Sequence, residues 1–438
     1  DGSWDLTLEI VRYGKRDMPQ LIETTLKDGS SNRIWWKNHK FRTSDMFTYN
    51  VPSEPKNATL DPDAQTMDID YRNNFTGTMK KETMFYRPGM RYNPRNRYVV
   101  QYHPILHYLD KDGYLPGFRT KISYSTLEYV EADLNIGLKT KKPLYSIWGE
   151  RRRSFKDIDQ INYYIFDLQG VRGSGMKLIK EIDQNYSING LKRIEFSYYE
   201  NQVKDTSRTH LFDEGEIIVS STTIHSVFAK INNQINFGFT PFKSSDWSFN
   251  RITITNSFEQ KLGLFGTRFR QIYGQIWSNQ NDVPLQERYN VEGAGSGDLY
   301  TKSYLRDKTS FYGKQNFFGQ YHLPGDANLR AFGNQNLSGV EQVFAITLEG
   351  FLSKNLLGVN IEFAGFIDQG NLSASKFVVG DKGFNNSTLM DYGFGIRLST
   401  NIFGQPLYLR IDKPIDATID GKSIEKMNEW IFSFQKSI

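Results

Sequence analysis

The chain finishes on Trp430-Ile431-Phe432-Ser433-Phe434-Gln435-Lys436-Ser437-Ile438, an alternation that runs to its final residue. In an extended strand Trp430, Phe432, Phe434, Lys436 and Ile438 share one face, and Ile431, Ser433, Gln435 and Ser437 share the other. A terminal strand with a mostly apolar outward row is how a bilayer-spanning β-barrel ends. Lys436, on that row, is placed to snorkel toward headgroups. The same alternation recurs through the preceding ninety or so residues, which points to an all-β chain.

Composition agrees with a barrel and excludes a helical membrane protein. Only 38% of the 438 residues are hydrophobic, and no run approaches the roughly 18–20 apolar residues of a spanning helix. A barrel needs an apolar residue only at every second position. Aromatic residues make up 14%, with 25 Tyr and 31 Phe, and barrels place such rings in girdles at the two interfaces. There are no cysteines, hence no disulfide framework and no thiolate metal site. A net charge of +5 over so long a chain implies no nucleic-acid partner. No signal peptide opens the chain, and the start at Asp1-Gly2-Ser3 predicts a fragment or a processed product.

Residues 1–75 read as a small β-sandwich. Trp4-Asp5-Leu6-Thr7-Leu8-Glu9-Ile10 alternates, and Asp28-Gly29 sits between two strand-like runs as a hairpin turn. Residues 76–96 read as a linker, because Lys80 to Arg91 is basic and broken by Pro88-Gly89. Residues 97–438 carry roughly sixteen candidate strands, an antiparallel barrel of even strand number. The first is placed at 97–103, the fourth at 143–149, the fifteenth at 405–412 and the last at 428–438. Gaps alternate between short (125–126, 228–232, 259–262, 353–357, 401–404) and long (104–114, 201–215, 279–340, 369–389, 413–427). Short turns on the periplasmic side and long loops outside are the outer-membrane pattern. The gap at 150–159 breaks that rule. A soluble sandwich would also alternate, but it would not need so many strands.

Periodicity selects inward groups near the longest loop. On the twelfth strand Phe344, Ile346 and Leu348 face one way, and Ala345, Thr347 and Glu349 the other. On the thirteenth Val359, Ile361, Phe363 and Ile367 oppose Asn360, Glu362, Phe366 and Asp368. Glu349 and Asp368 therefore point into the lumen, just after a loop bearing Leu329-Arg330-Ala331-Phe332-Gly333. Two inward carboxylates beside an arginine invite a charge-assisted contact.

These features resemble the Omp85 superfamily of outer-membrane assembly and transport barrels. In that family the sixth external loop folds back into the barrel, and its Val-Arg-Gly-Phe/Tyr arginine contacts a Glu and an Asp on the next two strands. The resemblance implies that role for Arg330, Glu349 and Asp368, with Phe332 and Phe366 as flanking aromatics. Gln286 to Gly295 resembles the segment entering the loop, and Tyr392 to Thr400 with Pro406 to Ile411 resembles the last strands. The likeness is specific over about 280–438 and pattern-level over 97–279. Ala331 stands where the family usually has Gly, which predicts a differently turned loop tip. The family also implies a weak lateral seam between first and last strands, here Tyr98, Val100 and Tyr102 against Trp430, Phe432, Phe434 and Ile438. A short seam has few ladder bonds, each worth about 0.5–1.5 kcal/mol.

Residues 1–75 resemble the β-sandwich that follows the catalytic domain of M1-type zinc aminopeptidases. Trp4 to Ile10, Met18-Pro19, Trp35-Trp36 and the stretch from Leu60 to Asn74 carry that likeness. The catalytic motif is missing, since none of His39, His103, His107, His210, His225 and His322 forms a His-Glu-x-x-His pair. His103 and His107 have Pro104 between them and no glutamate after the first. No triad motif or phosphate-binding glycine loop is present, so no cofactor, no metal and no catalysis are expected. The leading expectation is an outer-membrane barrel that inserts, assembles or translocates proteins or lipids. Its N-terminal module and C-terminus would be periplasmic. Its partners would be outer-membrane lipids, client outer-membrane proteins and accessory periplasmic or surface subunits. The known family members carry mixed α/β periplasmic domains, which this sandwich is not. An alternative is a membrane-anchoring barrel for a peptidase encoded upstream, and a diffusion porin is a third reading.

Overall fold

The structure, a computed structural model, describes residues 2–12, 18–37, 43–66, 68, 70–86, 94–109, 112–155, 158–168, 170–182, 189–204, 212–241, 245–278, 283–291, 320–321, 326–332, 338–373, 387–402, 405–424 and 430–433. Two compact units divide the chain. Residues 1–86, 91–103 and 120–131 form one, and residues 87–90, 104–119 and 132–438 the other.

The first unit begins with two small sheets. β1 (Trp4–Val11) pairs with β4 (Ser44–Val51), while β3 (Ser31–Trp36), β2 (Gln20–Leu26) and β5 (Pro55–Leu60) form the second sheet. Alternate residues from both sheets fill the space between them: Ile10, Tyr49 and Val51 meet Ile22, Leu26, Trp36 and Ala58. The hairpin from β2 to β3 turns at Asp28-Gly29, where Gly29 has a φ of +89° and the Asp28 carboxylate accepts from the Ser30 amide at 2.8 Å. Past β5, the buried Asp61 accepts four bonds, from the Gln65 and Thr66 amides and the Thr66 and Tyr71 hydroxyls.

Lys80–Phe85, expected in a linker, is instead strand β6. It runs parallel to β7 (Arg97–Leu109), with Lys80 beside Arg97 and Phe85 beside Tyr102. Lys81 and Thr83 alternate with Glu82 and Met84 in this stretch, and Pro88, which would stop a ladder, comes only after it ends. The same unit ties the sandwich's tail to the turn after β8 (Gly113–Tyr124). Tyr71 is fully buried against Tyr124 and Leu127, its amide donates to Tyr124 Oη at 2.7 Å, and Arg72 Nη1 reaches Glu128 Oε2 at 2.7 Å.

The remaining long strands are β9 (Glu128–Ile136), β10 (Pro143–Phe155), β11 (Ile158–Leu168), β12 (Val171–Glu181), β13 (Gly190–Val203), β14 (Gly215–Phe228), β15 (Ile231–Phe239), β16 (Phe249–Leu262) and β17 (Phe265–Ser278). Short pieces follow: β18 (Tyr289–Asn290), β19 (Gln320–Tyr321) and β20 (Ser338–Val340). Then come β21 (Gln342–Leu356), β22 (Val359–Ser373), β23 (Ser387–Ile402), β24 (Gln405–Ile419), β25 (Lys422–Ser423) and β26 (Ile431–Ser433). The hydrogen-bonded strand order closes into a barrel. β7 to β17, β21 to β24 and β26 occupy the places of the sixteen expected strands, and β6 joins them as an extra one.

Alternation sets the two faces. Leu348, Leu352, Phe363 and Ile367 point outward and are about half exposed, while Thr347, Glu349, Phe366 and Asp368 point inward and are buried. Such an outward apolar belt on a closed sheet is the surface of a membrane-spanning barrel. Among the described residues no helix is long and apolar enough to cross a membrane. Tight turns such as Ala229-Lys230 and Leu357-Gly358 have positive φ at both central residues, the type I′ geometry that matches strand twist.

Two expectations about boundaries need correction, and a third falls partly outside the described residues. The gap placed at 150–159 is mostly strand, because Glu150 to Phe155 continues β10, with Arg152 Nε on Glu150 Oε1 at 2.7 Å. The first strand is thirteen residues long, not seven, so it is no short seam partner. In the last strand the described ladder is Ile431–Ser433 against Arg410 to Asp412 of β24, and Phe434 and Ile438 lie outside the described residues.

Candidate functional site: a loop braced inside the barrel

Two described segments of the long connection between β17 and β21, residues 283–291 and 326–332, lie inside the barrel and are buried almost throughout. The two legs hydrogen-bond to each other, Ala327 N to Asn290 O and Leu329 N to Val291 O, each at 3.0 Å. β18 also pairs with β20 at the loop's end. Apolar residues of both legs, among them Val291, Leu329, Ala331 and Phe332, pack on inward wall residues such as Ile272, Ala345 and Leu372. The wall is hollowed for them. A Cβ on Gly370 would lie 2.8 Å from Leu329 Cδ1, and one on Gly274 would lie 2.4 Å from the Tyr289 ring. Glycine inside a strand at an inward position marks such close approach.

The returning leg carries Arg330, which is fully buried with Glu349 and Asp368. Its Nη2 donates to Glu349 Oε1 at 2.6 Å, and its Nε lies 3.1 Å from Asp368 Oδ2 as an ion pair. Nη1 sits 3.6 Å from Asp412 Oδ2, and the guanidinium carbon is 3.8 Å from the centre of the Phe366 ring. The neighbouring Ala331 amide donates to Asp391 Oδ2 at 3.2 Å. Strand register explains why these groups converge. Thr347 of β21 stands opposite Asp368 of β22, and Asp368 stands opposite Asp391 of β23. Like charges directly opposed on a ladder repel, and a cation placed beside them removes the penalty.

The structure thus brings together Arg330, Glu349, Phe366 and Asp368, with Phe332 buried in the adjoining apolar cluster. Around them it adds groups that the sequence did not single out as partners. Arg397 donates to Glu349, Arg410 pairs with Asp412, and Arg268 reaches Glu362 at 2.7 Å while lying 4.0 Å over the Phe351 ring. Arg410 and Asp412 are legible as an inward row, but alternation alone does not say what an inward charge meets. Among the described residues no acidic or imidazole group is arranged to hold a metal, and the carboxylates here face guanidinium groups.

A second pin holds the entering leg. Glu287 is buried and accepts from Tyr199 Oη at 2.6 Å, with Arg251 Nη1 at 3.3 Å. Asp213 fixes the same short 3-10 turn by accepting the Leu285 amide and, through its own amide, donating to the Gln286 side chain. Arg270 Nη1 donates to Asp326 O at 2.8 Å, and Asp326 accepts the Asn290 amide.

The expected seam residues are placed differently. Tyr98 is drawn into the tyrosine cluster with Tyr124, rings 5.5 Å apart. Tyr102 meets Phe85 of β6 edge-on. The edge of β7 holding Tyr98, Val100 and Tyr102 is therefore occupied by β6. Trp430 points outward onto Phe394, with the Lys413 ammonium 5.7 Å above its ring, and Phe432 pairs beside Ile411.

No family model matches the chain, and no curated protein matches it either. Among solved structures it is similar to BamA from Haemophilus ducreyi lacking POTRA domains 1-3, at 13% identity and a TM-score of 0.46, covering 76% of this chain and 70% of that one. It is similar to CdiB from Escherichia coli at 10% identity and a TM-score of 0.40, covering 94% and 61% respectively. Pseudomonas aeruginosa OpdO is matched at 8% identity and a TM-score of 0.31, covering 97% and 93%. None of the three is close enough in sequence or superposition to carry family membership. The peptidase-type likeness of residues 1–75 has no counterpart among them.

Proposed function

We propose that this chain is an outer-membrane barrel of the Omp85 kind, which inserts, assembles or translocates proteins or lipids at that membrane. One observation carries the reading: Arg330, on a loop folded back into the barrel, is held by Glu349 and Asp368 on the next two strands. That is the contact the motif resemblance implies, and it joins residues nineteen or more positions apart in sequence. A lumen filled by such a loop disfavours a diffusion porin. On this reading the chain has no catalytic chemistry of its own. Its partners are outer-membrane lipids, client barrels and accessory subunits, with the sandwich on the periplasmic side. Sideways access to β7 would require β6 to leave its edge. The test is reconstitution into lipid vesicles with an unfolded client barrel. Faster formation of protease-protected client than in empty vesicles is expected. Equal rates would overturn the reading.

A further inference from the structure

A slot opens on one side of the N-terminal sandwich. It has a volume of about 250 Å³, below the range of about 300–1,000 Å³ usual for small-molecule and cofactor pockets. One wall is the edge of β1 from Leu8 to Val11, the other is the chain from Asn73 to Thr76, and the floor is Ile22, Ala58 and Leu60.

Both walls present unused backbone groups. Arg12 N donates to Thr43 O as the β1–β4 register continues past Val11 and Ser44. Arg12 and Thr43 therefore take a hydrogen-bonded position of the register, and by parity so do Ile10 and Leu8 with their β4 partners. The amides and carbonyls of Val11 and Glu9 then point away from β4, toward the slot. Opposite them, Leu60 N donates to Asn74 O and Thr76 N to Ala58 O, around the bridge from Thr59 to Phe75. These bonds use the neighbours of Phe75, so its own amide and carbonyl also face the slot. Among the described residues nothing pairs with either edge here. A second observation is independent of the ladder. Asn74 is 6% exposed, lines the slot, and its Nδ2 has no hydrogen-bond partner. A buried amide donor left unmet is unfavourable, and a ligand carbonyl would satisfy it.

We infer that this slot binds an extended polypeptide segment as an added strand between β1 and residues 74–76. Asn74 Nδ2 would donate to it, and an apolar side chain would rest on Ala58 and Leu60. Main-chain bonds supply the affinity in such strand addition, and the floor selects for alternating side chains. That the segment is a strand of a client barrel rests on the proposed function.

The test uses the full chain in detergent micelles and a fluorescent peptide with the sequence of residues 428–438, a barrel strand of the required pattern. Saturable binding is expected by anisotropy, at least about tenfold tighter than for a scrambled peptide of the same composition. Glu9→Pro removes one free-edge amide without touching the β4 ladder, and Asn74→Leu removes the side-chain donor. Each is expected to weaken binding by about tenfold, with near-ultraviolet circular dichroism unchanged. A photo-crosslinker at Val11 is expected to capture the peptide, and one at Thr48 is not. Equal affinity for the scrambled peptide, binding indifferent to both substitutions, or capture at Thr48 alone would overturn the inference. Those results leave the vesicle assay untouched. Slot binding with no effect on client assembly would instead remove the client identity and the proposed function, and leave the slot.

Discussion

Asp368 and Asp391 face each other across the β22–β23 ladder, fully buried, with Arg330 beside them. Replacing Arg330 with alanine leaves Glu349 and Asp368 without this counter-charge, a loss of about 3–5 kcal/mol for a broken buried pair. Arg330→Lys keeps the charge but loses the fork and the stacking on Phe366, so a smaller loss is expected. Heat-modifiable gel migration reads this directly, and unchanged migration of Arg330→Ala would count against the brace. A second residue-scale expectation concerns Asp61. Burial alone would raise its carboxyl, but bonds from Thr66 and Tyr71 hold it below the ordinary 3.8. A depressed carboxyl stabilises the fold above its unfolded value, and that contribution is lost as pH falls through the folded one. Tyr71 works in the opposite sense. Burial pushes its phenol up to about 12, so its contribution is complete below 10 and lost as pH rises through about 12. Asp61→Asn should therefore flatten the acid limb of sandwich unfolding followed by Trp36 fluorescence, and an unchanged limb would contradict this. Glu349 and Asp368 were legible because strand parity needs only counting. Glu287 was not, because a loop has no period to reveal which of its charges turns inward.

At the scale of elements, strands were legible and their ends were not. The expected first strand ends at His103, and the residue after it, Pro104, cannot donate to a ladder. Among the described residues β6 pairs with β7 as far as Tyr102, where the Tyr86 amide bonds the Tyr102 carbonyl. No described residue pairs with that edge at Pro104, so its missing donor breaks no described bond there, and β7 runs on to Leu109. The glycines of β17 and β22 were present as signals but had no assigned meaning until the loop was seen lying against them. Gly370→Val is expected to push Leu329 off the wall and free the returning leg, which would become cleavable by added protease in folded protein. Glu287→Ala should release the entering leg in the same assay. Resistance in both variants would show that the loop is held by something other than these two contacts.

At the scale of the whole molecule, a closed sheet with an apolar exterior fits a chain that spans a membrane, while the buried loop segments 283–291 and 326–332 take up space inside the barrel and limit what it can pass. The wild-type barrel should show little steady conductance in a planar bilayer, and Arg330→Ala combined with Glu287→Ala should raise it several-fold. A large steady conductance from the wild type would favour the porin. The measurement that tests the central claim most directly is depletion of this protein in its native cells, followed by quantitation of the other outer-membrane barrels. Their abundance should fall together while periplasmic proteins hold steady. Unchanged barrel abundance would contradict a role in assembly.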